Sequence, residues 1–309
     1  MAHNHNHSHS TEGVGDGVLL WTILINFGLS VFEFIAGILA GSMALMADAL
    51  HNTNDAAALL IAYIARKISR RGADEKFTFG YRRAELIGAM IQLTALIVVG
   101  LYLLYEGVNR FFNPEPLLGG WIMVAAAVAL VVDVATAWLL WAMSKGSLNV
   151  KAAFLHNLTD AGASFAVLLG GAAIHWLDWN WVDPLLTLAI AGYILYMSTG
   201  MLRRTSAILM EGTPPELSLQ DLRTSVKAIS GVADLHHLHV WELDEHHRAL
   251  EAHVVIDPLL EDSPGARHQL RQRIKDHLSR EFNIPHSTLE LETVDQPCGD
   301  TEDVCGHAH

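Results

Sequence analysis

Cysteine is almost absent: the 309-residue chain has two, Cys298 and Cys305, both within its last dozen positions. A disulfide framework is thereby excluded, and nothing argues for an oxidising compartment. Charge is also scarce, at 17% of residues against 51% hydrophobic ones, with a mean hydropathy of +0.28 that is too high for an ordinary soluble domain. The first fifteen residues lack Lys, Arg and any apolar core, so no cleaved signal peptide is expected. The first apolar segment should then stay in the chain as a membrane span. Basic residues are too few to recruit nucleic acid: the net charge is −13, with 14 acids and 10 bases up to residue 202 and 19 acids against 10 bases from Arg203 onward. Histidine, by contrast, is abundant, with 18 residues.

Six apolar stretches, 18–40, 43–65, 84–111, 117–143, 150–174 and 182–202, are each long enough to cross about 30 Å of hydrocarbon as a helix. Basic residues alternate across their connections and the adjoining span ends: none, seven in 66–83, one (Arg110), two (Lys145 and Lys151), none, and two just after the sixth. The positive-inside rule then places both termini and the even-numbered loops in the cytoplasm. Beyond Pro214-Pro215 the composition becomes that of a soluble domain. Periodicity predicts helices over 216–229 and 265–282 and strands over 234–243, 249–256 and 287–294, an α+β domain in the order αββαβ. The expected organisation is a disordered His-rich tail (1–17), a six-span membrane domain (18–202), a linker (203–215), a cytoplasmic domain (216–295) and an acidic Cys/His tail (296–309).

One phrase occurs twice inside apolar stretches: Leu50-His51-Asn52-Thr53-Asn54-Asp55-Ala56 and Leu155-His156-Asn157-Leu158-Thr159-Asp160-Ala161. Residues four apart share a helix face, with Cβ atoms roughly 5–6 Å apart. Two such pairs on facing helices offer two imidazoles and two carboxylates, a donor set that suits four-coordinate Zn²⁺, with Cd²⁺ and Co²⁺ as passengers. Ionised groups inside a membrane cost about 2.5 kcal/mol or more, so they persist where they pair, line a cavity or work. The bland reading is a polar network holding helices together. For Glu33 and Asp133 two readings stand, a proton path or a contact between spans. A full tetrahedral set leaves no place for an activated water, and the His-Glu-x-x-His sequence is lacking, so an enzyme is not expected.

The segments 41–55 (GSMALMADALHNTND), 79–85 (FGYRRAE) and 155–160 (LHNLTD) resemble the cation diffusion facilitator family in its zinc-exporting branch, over residues 15–295. The resemblance implies that His51, Asp55, His156 and Asp160 form a transport site. It also implies a homodimer in the lipid bilayer of the cell's inner membrane, a metallochaperone-like cytoplasmic domain, exchange of Zn²⁺ for protons, and no organic cofactor. Some relatives carry a second site in the loop after span two; here Phe77 and Tyr81 occupy the matching stretch, and that site is expected to be absent. Arg83 and Glu211 fall where relatives have a charge pair at the hinge, although Arg83 could equally face lipid headgroups. In the cytoplasmic domain, adjacent strands can bring His236 and His253 together. The resemblance adds Glu292, with His268, His286 and Glu290 as further candidates, as a site where Zn²⁺ acts as regulatory ligand. Cys298 and Cys305 would pair with the histidines at 3–9 in a second cluster or remain floppy tails. The rival functions are a membrane-embedded metal sensor that signals without transport, and a haem protein using His51 and His156, which the accompanying aspartates disfavour.

Overall fold

The computed structural model describes residues 16–143, 148–260 and 264–294. They divide into two compact units, the described residues up to 63 with those of 91–200, and 64–90 with the described residues from 201 onward.

Six long helices dominate: α1 Asp16–Ala40, α2 Met43–Ser69, α3 Ala84–Phe112, α4 Gly119–Met143, α5 Leu148–Leu177 and α6 Val182–Leu209. Among the described residues, α3, α6 and the segments Gly119–Trp138 and Asn157–Leu177 are long and apolar enough to cross a membrane, while α1 contributes a shorter apolar piece, Phe27–Ala40. In α2 the run Asp48, His51, Asn52, Asn54, Asp55 lowers the hydropathy of any window containing it. Both α2 and α6 outlast their apolar stretches, α2 to Ser69 and α6 to Leu209. Arg, Lys and Ser continue a helix without continuing its hydrophobicity, so the helix ends lie beyond the ends of the apolar signal.

In the first unit, α2 is shared between two clusters of small and branched residues. Ala44 and Leu45 pack with Ala36 and Ala40 of α1, Ile122, Ala125 and Ala126 of α4, and Val167 and Ile174 of α5. Met43 and Ala47 pack with Leu96 and Leu103 of α3 and Ala191 and Ile194 of α6. Alanine at these contacts lets helix backbones approach closely. The turn into α2 is fixed by polar contacts. Gly41 has φ +74°, and a Cβ there would sit 2.8 Å from the Pro116 carbonyl oxygen, so glycine suits it twice over. Its own carbonyl accepts from Arg110, which also pairs with Glu106 at 3.1 Å and Glu115 at 2.9 Å. Ser42 caps α2 by accepting from Leu45 N–H at 3.1 Å, and its hydroxyl donates to Asp183 at the start of α6. The Asp183 carboxylate also accepts from Met43 N–H at 2.9 Å.

The second unit adds α7 Leu219–Lys227, β1 Val232–Glu242, β2 Arg248–Ile256, a 3-10 turn Pro258–Leu260, α8 Pro264–Phe282 and β3 His286–Glu292. The sheet order is β1-β2-β3, with β1 antiparallel and β3 parallel to β2. Leu270, Ile274 and Leu278, four apart on α8, and Leu222 and Val226 of α7 cover one sheet face, meeting Leu238, Val240, Leu250, Ala252 and Val254. The first helix starts at Leu219, three residues after the predicted 216, because Leu217 N–H closes a turn on the Pro214 carbonyl and Ser218 then caps α7.

Candidate metal sites

On α2, the four-residue spacing brings His51 Nε2 to 3.7 Å from Asp55 Oδ2; from α5, Asp160 Oδ1 stands 4.0 Å from the same nitrogen. Neighbouring donors in a tetrahedral zinc site with bonds of about 2.0–2.1 Å lie about 3.3–3.4 Å apart. The observed separations of 3.7 and 4.0 Å therefore exceed those of a closed site by less than about 1 Å. The His51 and Asp160 side chains are mostly buried, at 19% and 10% exposure. His156 stands on α5 four residues before Asp160; its side chain lies outside the described set. One turn along, Ser164 of α5 lies 2.8 Å from Asp133 of α4 and 3.3 Å from Asp48 of α2, both carboxylates buried. Glu33 of α1 is buried and accepts from Asn52 Nδ2 at 3.3 Å, and Thr136 Oγ1 of α4 donates to Asn157 Oδ1 at 2.9 Å. Glu33 and Asp133 each make a polar contact from one helix to another.

A second group forms on the sheet. The antiparallel register sets His236 opposite His253, and the parallel one sets Glu290 opposite His253 and Glu292 opposite Val255. His236 Nε2 lies 3.3 Å from Glu292 Oε2, His253 Nδ1 lies 2.5 Å from Glu292 Oε1, and one donor atom from each residue falls within 4.8 Å of the others. His253 Nδ1 is sealed from solvent and faces the Glu292 carboxylate at 2.5 Å; two imidazoles and a carboxylate converging this closely form a donor set that fits a divalent cation. Glu290 reaches His253 Nε2 at 3.6 Å from an exposed position. His268 sits on the exposed side of α8, and His286 is exposed at the start of β3 with its ring 5.4 Å from Phe79, so neither joins the three-residue group. Cys298, Cys305 and the histidines at 3–9 lie outside the described residues.

His237 was not among the predicted ligands, yet its ring is 4.6 Å from that of His253. A regular strand would turn it to the opposite face from His236. The register shifts between His236 and His239, and His237 takes φ +46°, so a bulge re-aims it. Three histidines within four residues was the only signal in the sequence.

Elsewhere in the second unit, Arg83 Nη2 binds Glu211 Oε1 at 3.0 Å, both partly exposed. Two pairs not predicted accompany it. Arg204 Nη2 donates at 2.7 Å to the buried Glu242 at the end of β1, and Arg82 lies 3.7 Å from Asp244. Burial works against ionisation of Asp244, but hydrogen bonds from the His247 ring and from the His246 and His247 amides outweigh it and hold the carboxyl below its ordinary range. In the loop after α2, Asp74 accepts from the Tyr81 hydroxyl at 2.7 Å and from the Phe77 and Lys76 amides at 2.8 and 2.9 Å. The Tyr81 bond foremost, then the Phe77 amide, hold Asp74 below the usual carboxylate range. The Phe77 and Tyr81 rings pack 4.6 Å apart.

Two family models match the chain: the cation efflux transmembrane domain over residues 19–210, and the cation efflux protein cytoplasmic domain (ZT_dimer) over 214–294. Similar proteins include the cadmium, cobalt and zinc/H(+)-K(+) antiporter of Bacillus subtilis (strain 168), 32% identical over 295 residues that cover 95% of this chain and 92% of that one. The zinc transporter ZitB of Escherichia coli (strain K12) is 33% identical over 298 residues, covering 94% and 93%. Among solved structures, the metal-bound C-terminal domain of the CzcD transporter from Cuprividus metallidurans is 28% identical, covers 25% of this chain and 99% of that one, and has a TM-score of 0.22.

Proposed function

The chain belongs to the cation efflux family, and from that premise we propose how it works as a divalent-cation efflux antiporter. It is a multi-pass integral membrane protein and a transporter, not an enzyme. Zn²⁺ is the proposed substrate, with Cd²⁺ and Co²⁺ as passengers. The proposed site is His51, Asp55, His156 and Asp160. Two carboxylates carry two negative charges, which Zn²⁺ cancels, so the loaded site presents little net charge to the surrounding hydrocarbon. Metal binding needs neutral imidazole and ionised carboxylate, so protons arriving from the far side compete for the same atoms and help eject the ion. Between these states the helices rock around the site, opening it first to one side and then to the other.

The remaining assignments belong to the same proposal. The chain crosses the inner membrane six times with both termini in the cytoplasm, within the boundaries given above, and acts as a homodimer. Zn²⁺ held by His236, His253 and Glu292, with Glu290 at the margin, would tighten the dimer and raise transport, since an ion that prefers one assembly state populates it. Arg83 and Glu211 hold the hinge, and Cys298 and Cys305 with the N-terminal histidines form a softer cluster. A sensor would need only the sheet-borne group. The observation that carries the transport reading is His51 Nε2 lying between Asp55 of its own helix and Asp160 of a second helix bearing the same phrase.

The test is radioactive zinc uptake into inverted vesicles with and without a pH gradient. Uptake should depend on the gradient and vanish in Asp55→Ala and in Asp160→Ala. Coupled uptake retained in both variants would refute the site.

A further inference from the structure

The repeated phrase has a third shared member: the residue after each histidine is asparagine, Asn52 and Asn157. One residue along a helix is about 100° around it, so an asparagine there stands off the face that the histidine and aspartate share. In both copies it meets a polar partner on the long helix that precedes its own. Asn52 Nδ2 of α2 donates to Glu33 Oε2 of α1 at 3.3 Å, and Asn157 Oδ1 of α5 accepts from Thr136 Oγ1 of α4 at 2.9 Å. Glu33, Thr136 and Asn157 are buried.

The surrounding contacts are of a different kind. Ala36, Ala40, Ala44, Ala125 and Ala126 line the neighbouring interface. Such small side chains let helices come close but offer few interlocking shapes to resist rotation about the helix axis. A hydrogen bond between side chains does resist it. Rotation by about 20° carries an atom at the ~5–6 Å outer radius of a helix through about 2 Å, enough to take a ligand out of coordination distance.

We propose that Asn52 and Asn157 are positioning residues. Each pins the rotation of its helix to a neighbour, α2 to α1 and α5 to α4, so that the histidine and aspartate of one copy face those of the other. The inference rests on reading His51, Asp55, His156 and Asp160 as the transport site, and it adds a role for the third shared member of the repeat.

The test uses the full chain in proteoliposomes, measuring KM and maximal rate for zinc and the ratio of zinc to cadmium uptake in Asn52→Leu, Asn157→Leu, Thr136→Val and Thr136→Ser. Residues that orient metal ligands typically change affinity or activity by 10–100-fold when replaced, so the two asparagine variants should raise KM by roughly tenfold and narrow zinc–cadmium discrimination. Thr136→Val should shift KM the same way, and Thr136→Ser, which keeps the hydroxyl, should restore it. Wild-type KM and discrimination in Asn157→Leu and Thr136→Val, in protein that melts normally, would overturn the proposal. Should Asn157→Leu fail to fold, the valine and serine variants decide, and equal KM values sink it. Asp160→Ala run in parallel separates the two readings. Retained transport there removes the site itself, whereas lost transport beside wild-type asparagine variants removes only the positioning role.

Discussion

The helix-borne and sheet-borne groups gather the same chemistry, histidine with carboxylate, by opposite means. On β1, β2 and β3 the backbone ladder sets His236 opposite His253 and Glu292 two pairs further along, opposite Val255, and the donor atoms approach to 2.5 and 3.3 Å. In the membrane unit the i, i+4 spacing assembles only half a site per helix. The halves meet through side-chain packing, and His51 stands 3.7 and 4.0 Å from its two carboxylates. Ladder hydrogen bonds must break before a sheet site can open, while a helix pair opens by a small shift of packed side chains. Physical chemistry therefore suits the first arrangement to holding an ion and the second to passing one on.

The sharpest way to break that contrast is a double dissociation in the full-length protein. Asp160→Ala should abolish zinc transport and leave the zinc proposed for the sheet-borne group, measured as metal content after dialysis, unchanged. His253→Ala should lower that content, with affinity falling by roughly 10–100-fold, while basal transport persists. Loss of both properties in either variant would mean the two groups form one system. A smaller effect is expected from His51→Asp, which makes the donor set more oxygen-rich. Discrimination of zinc from manganese in a competition uptake assay should fall several-fold, by about 1 kcal/mol or somewhat more, because carboxylate suits the harder ion. Unchanged selectivity would count against His51 as a ligand. The smallest effect lies in the loop after α2, where order comes from one carboxylate and one pair of packed rings, with no ladder behind them. With the loop folded, Asp74 titrates below its ordinary value. Its contribution is therefore complete above the ordinary carboxylate range and is lost as the pH falls through the lowered value. Tyr81→Phe should move the Asp74 midpoint back up, so that loosening in acid begins at a higher pH; a carboxyl NMR titration that shows no movement would exclude the role given to Tyr81.

What could be read from the sequence was whatever repeats locally. The period of the apolar residues gave the long helices, and alternation gave all three strands to within two residues at each end. The pairing of His51 with Asp55 is local too. The hidden features depend on partners far along the chain. Asp183 lies 141 positions from the serine hydroxyl it accepts, and Glu242 looks like any surface acid until Arg204 is placed on it. His237 is a case in which local reasoning misleads, because alternation assigns it to the wrong face and only the bulge at φ +46° corrects this. The asparagines were in plain view within the repeat, but their use became visible only with Glu33 and Thr136 alongside.

The clamp at the start of α2 acts as a fulcrum. Asp183 and Arg110 secure Ser42 and Gly41, and His51 lies nine residues beyond Ser42, a lever arm of about 13 Å at 1.5 Å per residue. Tilting α2 by about 10° about that end would sweep the His51 position through about 2 Å while the clamped turn barely moved. Because the arm lengthens further along the helix, Asp55 travels farther than His51 for the same tilt. Leverage of this kind converts a modest swing into a change of ligand spacing comparable with a metal–ligand bond, without requiring α2 to let go of its anchor.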